Sequence, residues 1–184
     1  MLKSLLARLS GDRGQHAHAH ALYGAVVAHA RDPEFFAKHN VPDTFDGRFE
    51  MLVIHLFLIH ERLKDEPKQA RSISQNVFDL FIDDMDAALR EAGVGDQTVP
   101  KRIAKMTQVF YGRTGAFGEA LVSDDVQAAL ADAIERNLFA DMEADGHQYG
   151  LAAYMKAQYE HLRALPWESV AKAGDPFLKY AQAA

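Results

Sequence analysis

At 184 residues, 48% apolar and 25% charged, the chain has the size and composition of one soluble domain with a sizeable core. The absence of cysteine excludes a disulfide framework, a zinc–cysteine site, an iron–sulfur cluster and a cysteine nucleophile. A formal charge of −6 argues against bulk nucleic-acid binding, DNA included, and no apolar run reaches the roughly 20 residues that span a bilayer.

Met1 to Leu9 places Leu2, Leu5, Leu6 and Leu9 at helical spacing around Lys3 and Arg8. The segment reads as a short helix packing on the domain or as a basic amphipathic helix touching an anionic membrane surface. Ser10, Gly11 and Asp12 follow too soon for a secretory signal, and Gly11 to Gly14 is expected to break the chain. A helix from about Gln15 to Arg31 comes next, with Ala19, Leu22, Tyr23, Val26, Val27 and Ala30 on its apolar face. His16 and His20 stand one turn apart, a chelating spacing, but without a carboxylate or third ligand nearby a solvated helix start is the simpler reading.

Asp32 can cap a short helix opened by Pro33, anchored by Phe35 and Phe36 and ended at Asn40 to Pro42. The stretch that organises the chain follows, Asp43 to Leu63, whose middle from Met51 to Ile59 is apolar apart from His55. A helix that is apolar all round needs neighbours all round, so this is the expected central helix of a bundle. Asp43, Thr44 or Asp46 can cap it. A histidine inside such a run is most simply a core residue held by one hydrogen bond. Once buried, it stays neutral with a lowered pKa unless a carboxylate faces it.

Beyond a charged turn at Pro67, a helix over about Ala70 to Ala92 carries Ile73, Val77, Phe78, Phe81, Ile82, Met85 and Leu89 as its core stripe. Asp79, Asp83, Asp86 and Arg90 lie opposite. The Asp83–Asp84–Met85–Asp86 cluster invites a metal reading, but its acids spread round the helix and no Glu-x-x-His motif accompanies them. Gly93 supplies a left-handed cap. Thr98 is placed to cap the next helix, with Pro100 in its first turn and Val99, Ile103, Met106 and Phe110 as its core stripe.

No acidic residue occurs between Asp96 and Glu119, whereas Lys101, Arg102, Lys105 and Arg113 are basic. In an acidic chain this island suits pairing with acidic neighbours or docking of an anionic partner. Gly112, Gly115 and Gly118 are expected to kink or end the helix near Arg113. Ser123 is the expected cap of a helix carrying Val126, Leu130, Ile134, Leu138 and Met142, and Gly146 argues against its continuation to His147. A last long helix, about His147 to Leu165, buries Leu151, Tyr154, Met155, Leu162 and one of Gln158 and Tyr159. Pro166 stops it, Trp167 packs back on the core, and the tail docks Phe177 and Leu178 before fraying.

These readings give an all-α, single-domain bundle of about six to eight helices around a buried central helix. Residues 1–14 form a short amphipathic segment, 15–170 the helical domain and 171–184 a tail. No nucleophile elbow, phosphate loop, dinucleotide fingerprint or HExxH motif is present, so no catalytic residue, cofactor or metal is assigned and no enzyme is expected.

Three blocks carry a family resemblance: DTFDGRFEMLVIHLFLIHERL, QNVFDLFIDDMDAALREAGVGD and VPKRIAKMTQVFYGR. In this order they resemble the ubiquinol–cytochrome c chaperone family, over roughly Glu34 to Trp167. The acid-rich FDLFIDDMD, the turn GVGD and the basic VPKRI are the most specific parts, because helix packing alone does not demand them. The chain lacks the long targeting extension of mitochondrial members, which implies a bacterial version.

The resemblance implies a non-catalytic chaperone that binds newly made cytochrome b, or another subunit, during assembly of the cytochrome bc complex. Mitochondrial members also contact the ribosome near its exit tunnel and act with a small partner protein. A cytoplasmic location with peripheral contact at the inner face of the membrane is the matching expectation. Lys101, Arg102, Lys105 and Arg113 match the family's basic block and are the candidate docking residues. Phe45, Phe49 and Tyr111 are the candidate apolar contacts, although core is the simpler reading for each. A lipid- or quinone-binding helical domain is the alternative, and a di-metal helical bundle is third.

Overall fold

The computed structural model describes residues 2–140, 142–172 and 174–183, with side chains from Gly14 onward. Among these residues the chain is helical and contains no strand: α1 (Leu2–Ala30), α2 (Pro33–Lys38), α3 (Phe45–Leu63), α4 (Lys68–Glu91), α5 (Val99–Leu121), α6 (Val126–Leu138), α7 (His147–Ala164), α8 (Trp167–Lys172) and a single turn, α9 (Tyr180–Ala183). No helix of the described residues is long and apolar enough to cross a membrane.

The expected central helix is α3. Helices α1, α4, α5, α7 and α8 pack around it, and α6 is added outside on α5 and α7. Every residue from Phe49 to Ile59 is buried, as a helix without a polar face requires. The hydroxyl of Thr44 accepts a hydrogen bond from the amide of Gly47 at 3.2 Å, so Thr44 is the cap among the three candidates. Gly47 is required by close approach: a Cβ there would stand 2.0 Å from the Pro42 carbonyl oxygen. The α2–α3 connection therefore crosses directly over the first turn of α3.

Helix ends were the least legible part. The break expected at Gly11 to Gly14 is absent, since the backbone of α1 is helical throughout. The side chains of residues 2–9, on which the membrane-contact reading rested, lie outside the described residues. The kink expected near Arg113 is also absent, because α5 runs through Gly112, Gly115 and Gly118 to Leu121. A glycine within a helix costs only about 1 kcal/mol. It ends a helix by turning left-handed, as Gly93 does at φ 80°. After α4 the amide of Val94 reaches the Leu89 carbonyl at 3.0 Å and that of Gly93 reaches Arg90 at 2.9 Å, closing a Schellman motif.

Thr98 makes no side-chain cap on α5. Asp125, rather than Ser123, caps α6 by accepting from Ala128 at 3.1 Å, while Ser123 donates to the Ala120 carbonyl. The fraying expected over the last four residues is not seen as far as Ala183, because Tyr180 and Ala183 are buried in α9.

His55 is fully buried and makes two hydrogen bonds rather than the one expected. Its Nδ1–H donates to the Met51 carbonyl at 2.8 Å. The Tyr154 hydroxyl must then donate to Nε2, also at 2.8 Å. Gln158 extends the chain: its Nε2 donates to the Tyr154 oxygen at 3.1 Å and to the Leu178 carbonyl at 2.8 Å. Its Oε1 accepts from the Leu178 amide at 3.0 Å. Phe35, Phe177 and Tyr180 pack on the rings of this network. Replacing Tyr154 by Phe removes the middle of the chain, and the folding free energy from urea titration is expected to fall by about 1–3 kcal/mol.

Burial pushes the His55 pKa down to about 4. Its unfolded value is roughly 6.5, so the unfolded chain binds the extra proton and stability is lost as pH falls from about 6.5 to about 4. His39 and His60, also lowered by burial, act in the same direction. Urea titrations across this window should show a loss attributable to His55 of about 3 kcal/mol. A His55→Gln variant, less stable at neutral pH, should show a correspondingly shallower pH dependence.

Candidate functional site

Above the buried part of α3 its first turn emerges between α5 and the end of α6. There it borders a groove of about 710 Å³. Phe45, Phe49 and Glu50 form one wall. Arg102, Lys105, Met106, Val109 and Arg113 form the α5 wall, and Leu138 and Met142 close the far side. Arg102, Met106, Val109 and Arg113 follow the alternating four- and three-residue spacing of one helix stripe. The α5 wall is thus apolar in the middle and cationic at both ends.

The two cationic ends differ. Arg113 forms a forked pair with Glu50, its Nε donating to both carboxylate oxygens at 3.2 Å and its Nη2 to one of them at 3.0 Å. Burial raises the Glu50 carboxyl above its usual pKa, although Arg113 draws it back down. Arg102 and Lys105 extend from exposed positions. With Asp46 also in the lining, the described groove residues carry one net positive charge, and Arg102 and Lys105 supply the cations at one end.

The structure divides the expected docking set. Arg102, Lys105, Arg113, Phe45 and Phe49 meet in the groove. Phe49 is a core residue as expected, 7% exposed and packed on Phe81. Phe45 is 45% exposed, and core is the wrong description of it. Lys101 and Tyr111 lie elsewhere on α5. Tyr111 is 59% exposed and packs its ring on Phe78 and Phe110 at the α4–α5 seam.

Sequence reading missed Glu50, which looked like a polar end to the apolar run, and Met142, which looked like a continuation of the α6 core stripe. The helix-stripe spacing of Arg102, Met106, Val109 and Arg113 was visible, but it could not say which helix faces it. Elsewhere, His16 and His20 are exposed on α1. Of the acidic cluster, Asp84 accepts from the Tyr23 hydroxyl at 2.8 Å and Asp86 pairs with Arg90.

A family model described as ubiquinol–cytochrome C chaperone matches residues 37–176 of this chain. The chain belongs to the ubiquinol–cytochrome c chaperone family. All the groove residues named above lie inside the matched span. Relatives named ubiquinol–cytochrome c reductase complex assembly factor 1 occur in mouse and in Xenopus laevis, at 26% and 25% identity over 155 residues and 84% of this chain. The match covers 52% of the mouse protein and 76% of the frog protein, so the chain spans about half the length of its mammalian relative. The crystal structure of the Cbp3 homolog from Brucella abortus superposes with a TM-score of 0.87 at 38% identity, covering 100% of both chains. In this chaperone family member the all-α bundle and the groove are thus set in a fold shared along its whole length.

The Glu50–Arg113 pair is testable apart from any partner. Glu50 is 11% and Arg113 24% exposed at the side chain. Replacing Arg113 by Met leaves a desolvated carboxylate and should cost about 2–3 kcal/mol by urea titration. The Glu50→Met, Arg113→Met double variant should recover most of that loss.

Proposed function

We propose that this protein is a non-catalytic assembly chaperone for the ubiquinol–cytochrome c reductase complex, which holds cytochrome b or another subunit of that complex in the groove between α3, α5 and α6. The observation that carries this reading is the convergence of Phe45, Arg102 and Lys105 on one open groove, in a chain whose relatives are named assembly factors of that complex. A client that belongs in a membrane presents apolar surface before it is inserted, and an apolar groove with a charged rim covers such surface without committing it to a closed cavity.

The exposed face of α5 at Lys101, outside the groove lining, is the surface left for an anionic encounter, with lipid headgroups at the inner face of the membrane or with the ribosome near its exit region. The location that follows is cytoplasmic with peripheral membrane contact. The lipid- or quinone-binding reading is weaker, because the groove is open and its lining carries five charged side chains, Asp46, Glu50, Arg102, Lys105 and Arg113, where an acyl or isoprenoid chain calls for an enclosed apolar pocket.

Tagged protein isolated from crosslinked native membranes tests the proposal. The wild-type chain should recover cytochrome b or another subunit of the complex. A Phe45→Ser, Met106→Ser variant, shown to be folded by its thermal transition, should recover about tenfold less. Undiminished recovery by that variant, or no subunit of the complex with either protein, would overturn the assignment.

A further inference from the structure

The groove has a polarity that a general apolar binding surface would lack. Along α5 the stripe runs from Arg102 and Lys105, through Met106 and Val109, to Arg113. It covers about three helical turns, roughly 16 Å at 1.5 Å per residue. Its far end is neutralised by Glu50, whereas Arg102 and Lys105 remain solvent-exposed at the near end. Phe45 stands at the rim between this groove and a second cleft of about 340 Å³ that reaches Leu52 and Met85. An occupant can therefore place side chains on either side of the Phe45 ring.

From this arrangement the geometry points to an amphipathic helical segment as the occupant, with its apolar stripe on Phe45, Met106, Val109 and Met142 and its carboxylates at the Arg102–Lys105 end. This inference rests on the groove being the client site. A trough about three turns long, lined in its middle by methionine and branched aliphatic side chains, matches a helix laid in lengthwise through residues at three- and four-residue spacing. Charge complementarity then selects the partner: acids at one end are attracted, while bases there meet Arg102 and Lys105, two exposed cations that pair with no carboxylate among the described residues. The same asymmetry fixes direction. The negative, C-terminal end of the occupant's helix dipole belongs beside Arg102 and Lys105, and its positive, N-terminal end beside the Glu50–Arg113 pair, where Glu50 offsets the guanidinium.

Two synthetic amphipathic peptides of about 18 residues test this, sharing one apolar stripe and bearing glutamate or lysine along its border. Binding of each to the purified full chain is read by fluorescence anisotropy at low and at moderate salt. The glutamate peptide should bind about tenfold or more tightly than the lysine peptide, with a gap that narrows as salt is raised. Arg102→Glu with Lys105→Glu should reverse the order, and Phe45→Ala should weaken both peptides alike. Equal binding of the two peptides, or a preference that survives the double reversal, would sink the inference. So would binding to phosphatidylglycerol vesicles, abolished by the reversal, with no binding of the glutamate peptide. The membrane-isolation experiment separates the two levels. If the double reversal keeps subunit recovery while Phe45→Ser, Met106→Ser loses it, the groove is still the client site and only the acidic specificity is wrong. If both keep it, the client site itself is elsewhere.

Discussion

One buried hydrogen-bond chain sets the arrangement of the bundle. A helix that is apolar on all sides can be covered in many ways, but a histidine at its centre cannot. The Nδ1 of His55 donates to Met51 in the preceding turn, which leaves Nε2 as an acceptor that only a donor from another element can satisfy. Tyr154 of α7 supplies it, Gln158 one turn later satisfies the Tyr154 oxygen, and the remaining bonding capacity of Gln158 is met by the backbone of Leu178. A single polar atom in α3 thereby fixes the register of α7 and the seating of the tail. Apolar contact alone tolerates slippage, whereas a buried donor or acceptor out of register forfeits its bond and carries the desolvation cost.

The groove follows from where that coverage stops. From Phe49 to Ile59 α3 is enclosed, but its first turn reaches the rim with Phe45, Asp46 and Arg48 exposed, and the crossing of Pro42 over Gly47 holds it there. Phe45 at this end, with the buried Phe49 and Glu50 about one turn deeper, lines the side that faces α5. Because α5 continues through its glycines as one helix, its wall keeps a straight stripe from Arg102 to Arg113. A kink near Arg113 would have moved that residue away from Glu50 and split the wall.

The bundle and its central helix were legible because both rest on periodicity and length, which are local properties of the sequence. The burial and lowered pKa of His55 followed from the same reasoning. What could not be read was pairing between elements. Arg113 and Glu50 are 63 positions apart, and nothing in either neighbourhood marks the other as a partner. Arg102, Lys105 and Arg113 were identified as a basic island by the absence of acids around them, yet the same signal placed Lys101 with them, although it points elsewhere. Phe45 and Phe49 look alike in sequence, four residues apart and both aromatic. They differ because Phe49 lies one turn deeper, where Phe81 reaches it. The errors at Gly11, Gly14 and Gly112 share one cause. A glycine permits a left-handed turn without requiring one, and whether the chain turns there or runs on as helix depends on packing with other elements, which the sequence does not display.

The Glu50–Arg113 pair bears on why an open groove persists at all. Apolar walls facing one another across a gap gain free energy by closing it. An apolar pair at these two positions would add to that gain, and exchanging a buried ion pair for well-packed apolar side chains commonly leaves a fold as stable or more so. The ion pair supplies less, because burial penalises the Glu50 carboxylate and the guanidinium must stay within reach of both its oxygens. Its length also holds the first turns of α3 and the middle of α5 at a fixed separation. The ion pair thus stands at the point where α3 leaves the core and where apolar side chains would favour closing the gap, and the space beside it stays open between Phe45 on one side and Arg102 and Lys105 on the other.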